Sequence, residues 1–139
     1  MVLVDSSVWI EALRRDGNVH VKLALEGLLE KYEAAWCGPV KLEVLGGARA
    51  QDRKKLEEQF SCIPYFPMAD GAWDSAKNLA WWLRDKGCIA PWNDILIAAL
   101  SVKADCRIYA VYKHFQLMYQ SGAGIRFYRP GYAGKYDPN

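Results

Sequence analysis

The chain has 139 residues, of which 52% are hydrophobic and 24% charged, with a formal net charge of +2. A chain of this length buries about two-thirds of its unfolded surface, which excludes wholesale disorder and removes the need for disulfide or metal staples. The charge is too small to argue for or against nucleic-acid binding, and the longest apolar run, Ile95 to Leu100, is far too short to span a membrane.

Val2, Leu3 and Val4 form an apolar run stopped by Asp5, the pattern of a short central parallel strand. The opening has no basic stretch, so no signal peptide is expected. Ser6 or Ser7 caps a helical turn through Trp9, Ile10 and Leu13, followed by a loop at Arg15-Asp16-Gly17-Asn18. Val21, Leu25, Leu28 and Leu29 predict an amphipathic helix over 20–32, and Ala34 to Cys37 a second strand. Pro39 suits the first turn of a helix that carries Glu43 and runs to Gly46-Gly47, which mark either its end or a close backbone approach. A charged helix over 49–60 and a third strand, Cys62 to Phe66, follow.

A helix from Asp70-Gly71 carries Ala76, Leu79, Ala80 and Leu83 and stops at Lys86-Gly87. Asn93 or Asp94 caps the apolar helix Ile95 to Val102. Arg107 to Val111 reads as a strand, His114 to Tyr119 as a short helix and Ile125 to Tyr128 as a last strand. Alternating strands and helices predict an α/β fold: one domain over 1–130, a central parallel sheet of about five strands with helices on both faces, and a loose tail over 131–139. Cys37, Cys62, Cys88 and Cys106 are widely spaced without a CxxC pair, which predicts free thiols and a cytoplasmic protein.

In such sheets, sites form beyond the carboxyl ends of the strands. Asp5 ends the first strand, Glu43 lies on the helix after the second, and Asp94 starts the helix before the fourth. Far apart in sequence, the three acids meet only if the fold gathers them. Three carboxylates in one place repel one another unless a cation sits among them, and hard oxygen donors suit Mg²⁺ or Mn²⁺. Such an ion polarises a phosphodiester and activates a water for in-line attack. Singly, each acid is also explained as a loop acid, a solvated helix face or a helix-start charge.

As a set they resemble a known family. Val2-Leu3-Val4-Asp5-Ser6-Ser7-Val8-Trp9-Ile10 resembles the opening of a PIN domain. Glu43-Val44-Leu45-Gly46-Gly47 is similar to its second motif and Asn93-Asp94-Ile95-Leu96-Ile97-Ala98-Ala99 to its third. Size and order resemble the VapC-type toxins. The resemblance implies a metal-dependent endoribonuclease, usually a homodimer, inhibited by a VapB-type antitoxin whose tail enters the site. It implies Asp5, Glu43 and Asp94 as catalytic and metal-holding residues.

The fourth motif departs from the family. Where Thr-x-Asp-x-Asp-Phe is expected, the chain reads Ala110-Val111-Tyr112-Lys113-His114-Phe115, with Tyr112 and His114 in the acid positions. Asp105 precedes the strand, whose far end is about 16 Å away, and cannot replace them. His114 is open to two readings, a neutral nitrogen ligand or a helix-start residue with no ligand role, and Tyr112 is read as a hydrogen-bond donor into the site.

Candidate RNA contacts are Ser6, Ser7, Arg14, Arg49 and Lys113, together with Trp92 as a stacking platform for an unpaired base. Trp81 and Trp82 cannot both face the core of one helix, so one is expected at an interface. The other functional class open to this sequence is a catalytically weak PIN-fold module that binds RNA or protein.

Overall fold

The computed structural model describes residues 1–139. Four short strands form a parallel sheet: β1 (Val2–Val4), β2 (Ala34–Cys37), β3 (Tyr65–Phe66) and β4 (Arg107–Tyr109). Their spatial order is β3-β2-β1-β4. Val2 pairs with Ala34 on one side and Arg107 on the other, so β1 is central and fully buried. Seven helices connect the strands: α1 (Ser6–Leu13), α2 (Val19–Glu30), α3 (Gly38–Gly46), α4 (Arg53–Ser61), α5 (Asp70–Asp85), α6 (Trp92–Lys103) and α7 (His114–Gln120). The chain winds outward from β1 through β2 to β3 and then returns across the sheet to β4. Right-handed crossovers in these opposite directions place α1–α4 on one face and α5–α6 on the other.

Local chemistry accounts for the helix boundaries. The Asp5 carboxylate accepts the Ser7 N–H at 3.0 Å, and the Asn18 side chain accepts the His20 and Val21 N–H groups, so each caps its helix. Both readings of Gly46-Gly47 hold. The helix ends at Gly46, and a Cβ on Gly47 would lie 2.9 Å from the Glu43 carbonyl oxygen.

Several boundaries differ from expectation. A fifth strand does not form: the segment 125–128 meets the sheet through one parallel bridge, Phe127 to Ile108, with Ile125 and Tyr128 buried. The third strand is only Tyr65–Phe66, because Cys62 still caps the preceding helix and Ile63 closes a turn onto Phe60. The charged segment begins as a 3₁₀ turn over Ala50–Asp52 before α4. Pro91, rather than Asn93 or Asp94, precedes the first turn of α6, which places Asp94 in that turn. Both Trp81 and Trp82 are exposed, at 62% and 36%.

The tail is seated rather than loose. A 3₁₀ turn over Tyr132–Gly134 packs on α2, and Gly134, at φ +82°, brings its backbone against that of His20, where a side chain would clash. The Tyr136 hydroxyl donates to Glu33 at 2.6 Å, and the Tyr128 hydroxyl accepts the Asp137 N–H at 3.2 Å. All four cysteines are free thiols. Burial pushes the Cys37 thiol up to about 12, which makes it inert. No helix is long and apolar enough to cross a membrane.

Candidate active site

The order of winding reverses at β1, between β2 and β4. Open α/β sheets place their sites in the crevice beyond the carboxyl strand ends at such a point. Here the crevice is a cleft of about 440 Å³ lined by Asp5, Ser6, Glu43, Pro91, Trp92, Asn93, Asp94, Tyr112 and His114. The fold therefore gathers the three acids, from β1, α3 and α6, in one place. Two larger hollows, of about 660 and 590 Å³, are lined mainly by apolar side chains and hold no comparable acid cluster.

Each acid is held differently. Asp5 is 2% exposed. Its Oδ2 accepts the Ser7 N–H, while Oδ1 is sealed from solvent with no hydrogen-bond partner. Burial pushes its carboxyl above the usual range, hydrogen bonding from Ser7 pulls it back, and the nearby charges of Asp94 and Glu43 push it up further. Glu43 accepts from the Ser6 hydroxyl at 2.8 Å and from the Asn93 amide at 3.2 Å, one bond on each oxygen. Asp94 Oδ2 lies 2.7 Å from His114 Nδ1. Burial pushes the Asp94 carboxyl up, His114 opposes the shift, and Glu43 adds to it.

These three carboxylates do not close on a single point, and no three His, Cys, Asp or Glu side chains stand ready to enclose an ion. The donor set nevertheless fits a small hard cation. An ionised oxygen buried without a partner, as in Asp5 Oδ1, is costly unless positive charge faces it. Asp94, whose Oδ1 is also without a hydrogen bond, lines the same cleft.

The expected RNA contacts divide. Ser6, Trp92, Tyr112 and His114 line the cleft. Ser7 is buried and structural: its hydroxyl accepts the Val111 N–H at 3.1 Å and ties the segment after β4 to α1. Arg14 pairs with Glu11 and Asp16, and Arg49 pairs with Asp52, all outside the cleft. Lys113 lines a neighbouring hollow with Arg129. Asp105 pairs with Arg126. Trp92 is 63% exposed, with the Arg84 guanidinium 5.2 Å from its ring centre.

A family model described as the PIN domain matches residues 2–111. Ribonuclease VapC11 of Mycobacterium tuberculosis is 30% identical over 119 residues, 78% of this chain and 84% of that protein. The chain belongs to the PIN-domain family, in its VapC branch. VapC ribonuclease Mb1587 of Mycobacterium bovis matches with the same identity and coverage. Among solved structures, FitAcB from Neisseria gonorrhoeae superposes with a TM-score of 0.75 at 16% identity, covering 93% of this chain and 97% of that one. VapBC2 from Rickettsia felis, bound to a DNA fragment from its promoter, gives a TM-score of 0.72 at 18% identity, covering 91% and 97%. At these identities the structural likeness establishes the fold.

Within this PIN-domain site the sequence reading missed Asn93. It stands next to Asp94, but nothing in the sequence shows that its amide reaches back to Glu43 across the cleft. Ser7, a candidate RNA contact by sequence, is directed inward by the turn into α1.

Proposed function

We propose that this chain is a divalent-cation-dependent endoribonuclease, the toxin of a toxin–antitoxin pair, which hydrolyses RNA phosphodiesters in the cleft of Asp5, Glu43 and Asp94. The observation that carries this reading is Asp5 Oδ1, buried and unpartnered beside two further carboxylates at the reversal point of the sheet. Asp5 and Asp94 hold Mg²⁺ or Mn²⁺, with Glu43 as the third acid. Bound there, the ion supplies polarisation of the phosphodiester and a water acidified for attack. Ser6 and Asn93 keep Glu43 extended into the cleft. Glu43 orients the attacking water and takes its proton. Trp92 and Tyr112 offer exposed ring faces to unpaired bases, which favours single-stranded RNA.

The test is a cleavage time course on a mixed RNA pool with Mg²⁺, Mn²⁺ or EDTA, comparing wild type with Asp94→Asn. Metal-dependent cleavage is expected, with a rate loss on the order of 10²-fold or more in the variant. A folded, partner-free wild type that cuts no RNA would replace this reading with the RNA- or protein-binding module.

Two apolar surfaces support the partner side of the proposal. The groove between α1, α2 and α4, floored by Trp9, Leu25, Leu29 and Phe60, suits an apolar helix of an antitoxin. The solved structures that this chain resembles include a toxin–antitoxin complex from Klebsiella pneumoniae. The face of α5 and α6 presents Trp73 and Trp81, both more than half exposed, which suits a second copy of the chain. Trp81→Glu puts a charge into both halves of that interface. Light scattering is expected to show a dimeric mass for wild type and a monomeric one for the variant; equal masses would remove this face from the interface.

A further inference from the structure

The cleft contains a histidine that the three-acid reading leaves without a task. His114 is the first residue of α7, and its Nδ1 lies 2.7 Å from Asp94 Oδ2 across 20 residues of chain. The Asp94 side chain is 15% exposed and that of His114 44%, so the carboxylate is the more enclosed partner of the two. With an ionised carboxylate as partner, Nδ1 carries the proton and donates. Asp94 receives no other hydrogen bond through its side chain. It sits in the first turn of α6, where an unheld carboxylate is free to rotate about its side-chain torsions.

We propose that His114 is the positioning residue for Asp94: by holding Oδ2 it fixes the carboxylate with Oδ1 left free, and so prepares Asp94 to bind a divalent cation in the cleft. This rests on the metal-site reading above. The geometry matches the way outer-shell partners fix metal-binding side chains, a contribution of about 10–100-fold in metal affinity. It also gives this chain a use for one of the two residues that stand where the family carries acids. The imidazole contributes a directed N–H where a carboxylate would add negative charge, leaving three acids in the cleft. Ser7 supports the arrangement from behind, because its bond to the Val111 N–H anchors the segment that delivers His114.

The test is Mn²⁺ titration of the purified full chain without RNA, following free Mn²⁺ by electron paramagnetic resonance, with His114→Ala, His114→Asn and Asp94→Asn as variants. His114 is half exposed at a helix start, so the variants are expected to fold, and circular dichroism checks this. His114→Ala is expected to weaken Mn²⁺ binding about tenfold or more. His114→Asn, whose amide places a donor near the position of Nδ1, is expected to restore most of that loss. Unchanged binding in His114→Ala, with binding lost in Asp94→Asn, overturns the role of His114 and leaves the metal site standing. Equal losses in the Asn and Ala variants also overturn it, because they assign the effect to the other ring nitrogen as a direct ligand. Unchanged binding in Asp94→Asn defeats the metal-site reading itself.

Discussion

Asp5→Asn is expected to abolish most cleavage while raising the thermal stability of the metal-free protein. The two effects share one cause. The Asp5 carboxylate is buried, and one of its oxygens has no partner, while the negative charges of Asp94 and Glu43 lie close by. Without a cation this is destabilising, and an amide relieves it: the Asn oxygen still accepts the Ser7 N–H, and its NH₂ group faces carboxylates rather than repelling them. With a cation, the lost charge removes a ligand, and kcat is expected to fall on the order of 10²–10³-fold.

The sign of the pH dependence follows. The folded-state pKa of Asp5 lies above its unfolded value, so the native state holds this proton more tightly. Its contribution to stability is fully present below the unfolded pKa, near 3.8, and is lost as pH rises through the folded pKa. Asp94 acts in the same direction. In EDTA, wild type is therefore expected to lose Tm relative to Asp5→Asn as pH rises from about 4 toward neutrality. Mn²⁺ is expected to recover that loss in wild type and not in the variant. Parallel melting profiles for the two proteins in EDTA would show that Asp5 carries no stored electrostatic strain. The site would then exemplify no trade of stability for function.

Much of this arrangement is legible from residues alone. An apolar run as short as Val2 to Val4, ended by an acid, has few homes other than a buried parallel strand with its acid at the carboxyl edge. The gathering of Glu43 and Asp94 with Asp5 is less local. It follows once strand and helix alternate, because a doubly wound sheet brings those ends together. What the sequence conceals depends on side-chain reach. His114 to Asp94 and Asn93 to Glu43 are bonds across the cleft, set by rotamers and the packing of α6 and α7 rather than by spacing. The failed fifth strand has a similar cause. Ile125 and Tyr128 are buried as a strand's residues would be, but Gly122 and Gly124, both at positive φ, bend the approach and leave a single bridge. The tail misled because its glycines and proline read as looseness, whereas Gly134 is what allows the chain to press against α2.

Phe60→Ala is expected to cost about 3–5 kcal/mol. Phe60 is 2% exposed on α4 and is wedged between two tryptophans, with ring centres 4.6 Å from Trp9 and 4.5 Å from Trp36. It therefore ties α4 to α1 and to β2 at once. Trp36 has a second hold, since its Nε1 donates to the Ile63 carbonyl at 3.1 Å. Trp9 has none, as its Nε1 is buried without a partner, so the Phe60 ring is a main restraint on that side chain. Against a total stability of about 5–15 kcal/mol, the loss should lower Tm by roughly 10–20 °C. Phe60→Leu, which keeps most of the volume, should cost much less. Asp5 lies at the cap of α1, where its Ser7 bond is local, and Glu43 and Asp94 stand on α3 and α6; none of the three is on α4, so cleavage measured well below the variant's Tm is expected to stay close to wild type. Binding of a partner helix in the Trp9–Phe60 groove should weaken, because the floor of that groove is the ring removed. Loss of cleavage at full stability would mean that the wedge acts on the catalytic end of α1, through Trp9 to Asp5, rather than on the fold.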